Sequence, residues 1–321
     1  MEYIKIQHKN PMYPKRLLQI KNYPKELYIL GNYELLNKQQ TVAIIGSRDC
    51  TEYGRKYAYL FAEEISKKDI CIISGLAIGI DTIAHIGAVE NKGKTIAVLG
   101  GGFNKFYPKE NEWLFNKILQ NDGCIITEYA PDIEPDKRNF PKRNRIVSGL
   151  SDITLVIEAE HRSGTSITAG YAKEQSRIVC AIPGNLENSR SIGTNRLIKE
   201  GAELIMAPYE IIEILKNKEE YKNKQYDKEK NTVENQNKKV TNNKNRNEKV
   251  KNILQNKTIK KEISKEYEEI YNLIKEKPIH INNICKITKK NMQEISVILT
   301  ILELEGLIES LPGNEIKVKE V

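Results

Sequence analysis

The residue types best suited to chemistry lie close together, between Asn139 and Ala172. Phe140-Pro141-Lys142-Arg143-Asn144-Arg145 sets a flat ring beside three cations and an amide. Further on, Arg162-Ser163-Gly164-Thr165-Ser166 is a small, glycine-containing turn that leads into the helical pattern Ile167 to Glu174. Such a turn aims free backbone N–H groups past the end of the preceding strand, where the helix dipole favours an anion. Between the two, Ile153-Thr154-Leu155-Val156-Ile157 reads as a buried parallel strand. A ring to stack on a base, cations and N–H groups to hold phosphates, and a strand to present them together suit a single-stranded nucleic acid. A basic run alone more often marks a solvated loop. Here three devices fall within about one βα unit, and the binding reading outweighs the loop.

The elements that position these residues repeat as strand, turn and helix from Thr41 to Leu215. Apolar runs at Val42–Ile45, Ile70–Ile73, Thr95–Leu99, Cys124–Thr127, Ile153–Ile157, Ile178–Ile182 and Glu203–Met206 read as strands. Helical patterns lie between them at Tyr53–Lys67, Thr82–Asn91, Glu110–Gln120 and Ile167–Gln175. Alternation of this kind predicts an α/β fold with an extended, Rossmann-like, doubly wound parallel sheet whose ligand sits beyond the strand C-termini. Several strands end in glycines, as in Gly46-Ser47-Arg48, Ser74-Gly75, Gly100-Gly101-Gly102 and Pro183-Gly184. Glycine there lets a backbone approach a phosphate or adopt positive φ. Ser47, Arg48 and Gly75 stand at such strand ends and join Phe140, Lys142, Arg143, Asn144, Arg145, Ser163, Gly164 and Thr165 as candidate nucleic-acid-contacting residues. Asp81 reads as the N-cap of a helix that Gly93 stops, and His85, one turn on, as a paired structural histidine.

Catalytic and cofactor signatures fail on spacing. Gly87 to Thr95 imitates a phosphate-binding loop, but five residues separate its glycines where four are needed. No G-x-G-x-x-G follows the first strand, and there is no G-x-S-x-G or H-E-x-x-H. Ser163 follows His161 too closely for the two alone to act as nucleophile and base. No C-x-x-C joins any of the five cysteines, three of which sit in apolar strand-like runs. No cofactor, metal or enzymatic activity is expected, and the cysteine usage fits a reducing cytoplasm. Neither a secretory h-region nor an 18-residue apolar run is present, so no membrane role is expected.

The net charge of +8 is a poor guide to partners. Residues 216–262 hold fifteen Lys/Arg against seven Asp/Glu, which equals the whole of it. That segment has few apolar groups and reads as a charged flexible linker. Residues 1–40, rich in Tyr, Pro and Lys, read as a lead-in packing on the main domain, 41–215, with a short helix near Leu17–Ile20 and a strand near Tyr28–Asn32. Residues 263–321 are net acidic and return to helices at Tyr267–Lys275, Ile281–Ile287 and Met292–Leu304, then a hairpin. Three helices and a hairpin predict a winged helix. Its presumed recognition helix offers only Lys289 and Lys290 near its start, so a protein contact is as plausible for it as DNA.

The ordered motifs resemble the DNA-processing protein A (Smf) family. They are Tyr13-Pro14, Val42–Arg48 (VAIIGSR), Ser74–Asp81 with Ala84-His85, Tyr107-Pro108, Phe140–Arg145 (FPKRNR), Ser163-Gly164, Pro183-Gly184 and Gly193-Thr194-Asn195. The resemblance covers almost all of residues 11–215 and extends to the C-terminal winged helix. It implies a Rossmann domain that binds single-stranded DNA, forms a homodimer and loads the RecA recombinase onto incoming strands in natural transformation. It also puts Arg48, the Phe140–Arg145 run and Ser163-Gly164 in the DNA pocket. The rival class is a nucleoside-monophosphate hydrolase with a P-G-G-x-G-T-x-x-E signature. Against it, Ser163 replaces a glycine and Thr168 stands where the glutamate belongs.

Overall fold

The computed structural model describes residues 2–38, 40–160, 163–221, 223, 265–276, 278–288, 290–304, 307–311 and 315–319. The chain divides into two compact units, residues 1–239 and 240–321.

The first unit is built on a nine-stranded sheet. Its strands in chain order are β1 (Ile4–Gln7), β2 (Glu26–Gly31), β3 (Thr41–Ile45), β4 (Cys71–Ser74), β5 (Thr95–Leu99), β6 (Cys124–Thr127), β7 (Ile153–Val156), β8 (Ile178–Ala181) and β9 (Glu203–Leu204). They lie side by side as β1-β2-β6-β5-β4-β3-β7-β8-β9. From β6 to β9 every pairing is parallel, as the continuous apolar runs require. β1 and β2 are antiparallel additions at one edge, so the first forty residues extend the sheet itself.

Both faces of the sheet are covered. Ala43 and Ile45 of β3 point into a core with Leu17, Ile146, Val147, Leu150, Ala169 and Ala172. Val42 and Ile44 point the other way, against Phe61, Ile65, Ala84, Ala88, Ile211 and Ile214. This is the period-2 alternation of a strand buried on both sides. The helices on the second face are α2 (Glu52–Ser66), α3 (Ile80–Glu90) and α8 (Pro208–Lys216). The first face carries α1 (Lys15–Leu18), α5 (Asn139–Leu150), α6 (Gly164–Glu174) and α7 (Ser189–Lys199), and α4 (Glu112–Gln120) packs beside β5 and β6.

The chain moves outward from β3 through β4 and β5 to β6, then returns to β3 and leaves the other way through β7 and β8. β3 and β7 are thus parallel neighbours whose following segments diverge. This switch point opens the crevice in which such sheets bind ligands, beyond the C-termini of the strands.

Two local readings are corrected and one segment is given its structure. Phe140–Arg145, for which the sequence assigned no element, is the first half of helix α5; Pro141 sits in the first turn, where no N–H is needed for the helical ladder. Asp81 is not an N-cap, because α3 is entered through Gly79 at φ +87° and Asp81 lies in its first turn. The stop of α3 is made by Lys92 in the left-handed region (φ +57°), with the Gly93 N–H returning to Ala88 O.

The second unit holds helices Lys265–Glu276, Ile281–Thr288 and Met292–Leu304 and a three-stranded antiparallel sheet of Ile279–His280, Glu315–Val318 and Ile308–Leu311. Ile270, Ile284, Ile295, Leu302, Ile308 and Ile316 form its core. Three helices with a hairpin make the expected winged helix. Lys289, Gly306 and the hairpin turn 312–314 lie outside the described residues, as does most of the 216–262 segment.

Candidate nucleic-acid interface

Helical geometry sorts the Phe140–Arg145 run. Phe140, Arg143, Asn144 and Val147 follow the i, i+3, i+4, i+7 spacing of one helix face. All four line a cleft of about 790 Å³ at the C-terminal ends of β3, β4, β5 and β7, floored by α5 and bounded on one side by the start of α6. Ser47, Arg48, Gly75, Ser163, Gly164 and Thr165 line the same cleft. Lys142 and Arg145 do not, since they project from other sides of the helix. Arg145 grips Glu128 with both terminal nitrogens (2.6 and 2.7 Å) and donates to Asn22 O (2.8 Å), so its charge is spent tying α5 to the lead-in. Arg162 lies outside the described residues.

Phe140 is half-buried. Its ring lies 5.9 Å from that of Tyr107, at 47°, and the Arg48 guanidinium sits 5.7 Å over it. Gly100 makes room for the ring, because a Cβ there would stand 2.7 Å from Phe140 Cδ1. Arg48 itself is exposed. The loop that carries it is held against the turn entering α3, where a Cβ at Gly79 would strike the carbonyls of Ser47 and Arg48. Asp49 in the same loop pairs with Arg190, and the Ser47 hydroxyl donates to Asp49 O (3.0 Å).

The turn after β7 leads directly into a helix start at the cleft. α6 begins at Gly164, earlier than its hydrophobic pattern suggests, with Ser163 as N-cap accepting from the Ser166 N–H at 3.4 Å. Gly164 is exposed, and among the described residues nothing stands within 4 Å of a Cβ built there. The first-turn N–H groups have no partners within the helix.

Arg143 points inward and is only 4% exposed. It donates to Gly75 O (2.5 Å) and to Val98 O, and its Nε donates to Asn144 Oδ1 at 3.2 Å. Burial lowers its pKa to about 10, opposed by the charge of Asp81, so it stays a cation at neutral pH. Asp81 is raised by burial and pulled back by Arg143 and by hydrogen bonds, including the Gly75 N–H at 3.0 Å. His85 is fully buried behind this pair. Its Nδ1 meets Thr95 Oγ1 at 2.8 Å, and that hydroxyl donates onward to Ile72 O, so Nδ1 carries the proton. Burial, with the nearby Arg143 charge, depresses its pKa to about 3. This is the structural histidine the sequence suggests, although its Nε2 has no partner among the described residues.

Sequence reasoning passed over Tyr107 and Lys137, which also line the cleft. Tyr107 is 55% exposed beside Phe140. The signal was the aromatic in Tyr107-Pro108, but nothing local tied it to α5.

The description of the DNA recombination-mediator protein A family matches residues 5–216, and that of the DprA winged helix domain matches residues 257–314. The chain belongs to the DNA recombination-mediator protein A family. Protein Smf of Escherichia coli (strain K12) is 43% identical over 203 residues, covering 63% of this chain. The DNA processing protein DprA of Streptococcus pneumoniae is 43% identical over 200 residues, covering 62%. The match spans only about half (54%) of the Escherichia coli protein and 70% of the Streptococcus pneumoniae one. Among solved structures, DNA processing protein A from Streptococcus pneumoniae superposes with a TM-score of 0.63 at 39% identity, covering 66% of this chain and 74% of that one. The Helicobacter pylori protein, described for its single-stranded DNA binding mode, superposes with a TM-score of 0.62 at 32% identity, covering 68% of this chain and 97% of that one.

Proposed function

We propose that this chain binds single-stranded DNA in the cleft at the C-terminal ends of β3, β4, β5 and β7, without catalysis, and serves recombination of incoming DNA. The observation that carries this reading is the meeting in one cleft of a stacking surface, Phe140 with Tyr107, an exposed cation, Arg48, and the open start of α6 at Gly164. Bases stack on the rings while phosphates meet Arg48, Lys137 and the N–H groups of Ser163, Gly164 and Thr165. A duplex binds more weakly, because its paired bases present no free face to Phe140.

The family's description as a recombination mediator supports delivery of the bound strand to RecA in the cytoplasm, and protection of that strand during natural transformation. A homodimer is supported by the far edge of the sheet. There Leu204, Met206 (70% exposed) and Tyr209 stand out to solvent.

Fluorescence anisotropy with a labelled oligonucleotide, single-stranded against duplex, tests the core of the reading. The expected result is a clear single-strand preference; equal affinity for both forms sinks it. RecA filament growth on single strands, with and without the protein, tests loading, and light scattering of Met206→Glu tests the dimer. Hydrolysis of a nucleoside monophosphate that is abolished by a cleft substitution would restore the enzymatic alternative.

A further inference from the structure

Arg143 lies in the run that the sequence assigns to bound DNA, but it is among the most buried cations in the chain. We propose that Arg143 is a positioning residue: it ties together the turns that form the cleft, sharing Gly75 with Asp81, and does not itself hold the strand. This rests on the single-stranded DNA reading above.

The bonds carry the proposal. Gly75, in the turn after β4, is held at both polar ends, its carbonyl by the Arg143 guanidinium and its N–H by the Asp81 carboxylate. The same guanidinium takes Val98 O in β5, so two adjacent strand ends are locked by one side chain. Through Nε it meets Asn144 Oδ1, and the Asn144 amide donates to Gly164 O at 3.4 Å, in the first turn of α6. Three walls of the cleft are therefore linked through Arg143. Gly75 must be a glycine for this to fit, since a Cβ there would strike the guanidinium. Arg48 shows the opposite pattern, with its guanidinium at the surface over the Phe140 ring. A cation that holds a phosphate contributes to the salt dependence of binding, and a cation that holds only protein carbonyls does not.

The full chain with Arg143→Met, a substitution of similar volume without charge, separates the two roles. Affinity for a single-stranded oligonucleotide is measured across salt concentrations and referred to the folded fraction, beside Arg48→Gln. The expected result for Arg143→Met is a loss of roughly ten-fold, with the log–log salt slope of the parent. Arg48→Gln should reduce that slope by about 0.7. Hydrogen exchange supplies a reading independent of DNA, and peptides spanning Gly75–Ile83 should lose protection in Arg143→Met. A slope reduced as in Arg48→Gln, or unchanged protection of Gly75–Ile83, overturns the proposal. If Arg143→Met fails to fold, Gly75→Ala decides. It displaces the guanidinium while keeping its charge, so it should lose affinity at unchanged slope, and parental affinity refutes the positioning role. Failure of the parent to prefer single strands would sink the DNA reading instead, leaving the exchange result to judge the linkage.

Discussion

Phe140 offers a ring face and Arg48 a charge, and salt distinguishes them. A base–aromatic stack is worth about 1–3 kcal/mol, so Phe140→Ala should weaken single-strand binding by roughly ten-fold at any salt concentration. Arg48→Gln should weaken it mainly at low salt, as the slope of log K against log salt falls by about 0.7. If neither substitution changes binding, the strand does not lie in this cleft. His85 makes a prediction about stability. Its folded pKa of about 3 is below the value near 6.5 of an unfolded histidine, so the unfolded chain takes up the extra proton. The contribution is complete above pH 6.5 and is lost as pH falls from there towards 3, by about 1.4 kcal/mol per pH unit. Denaturant unfolding of the parent between pH 7 and pH 5 should show this loss, and His85→Leu should flatten it. An equally steep profile in the variant would contradict neutral burial.

At the scale of elements, α5 serves two purposes with alternate faces. One face supplies Phe140, Arg143 and Asn144 to the cleft; another uses Arg145 to fasten the helix to Glu128 and to the lead-in. The Arg145–Glu128 side chains are 13% and 17% exposed, so removing one partner leaves a mostly buried charge alone. Arg145→Met should therefore cost about 3 kcal/mol in unfolding free energy while leaving the salt slope at its parental value. A reduced slope with unchanged stability would return Arg145 to the strand. The helix start at Gly164 and the turn at Gly75 are linked through Asn144 and Arg143 of α5.

For the whole molecule, every described residue of the cleft belongs to the first unit. The winged helix has its own core, and residues 263–321 carry a surplus of acidic over basic groups. Electrostatics gives it little to offer a phosphate backbone. Removal of residues 263–321 should preserve both the affinity and the single-strand preference in anisotropy titrations. Collapse of binding would make the winged helix a DNA contact instead of a surface for protein partners. No helix among the described residues is long and apolar enough to cross a membrane.

The sequence by itself determined the strands, because fully buried parallel strands are continuous β-branched runs that few other structures tolerate. Thr95–Leu99 and Cys124–Thr127 are bounded by the same residues in both readings. It also determined the winged helix and the glycine-rich strand ends that line the cleft. What it left open depended on long-range contacts. Phe140–Arg145 reads only as a ring beside cations until Ile146, Val147 and Leu150 are seen packed on the sheet, and only then do its residues acquire faces. Of the cations in that run, local sequence gives no reason why Arg143 turns inward while Arg145 takes Glu128. The carbonyls of Gly75 and Val98 and the carboxylate of Glu128 reach them from other strands. Tyr107 joins Phe140 for the same reason, across a gap that only the order of strands closes. Composition and periodicity decide which segments are buried. Which charge faces solvent and which is consumed inside is decided by the partners that tertiary packing brings to it.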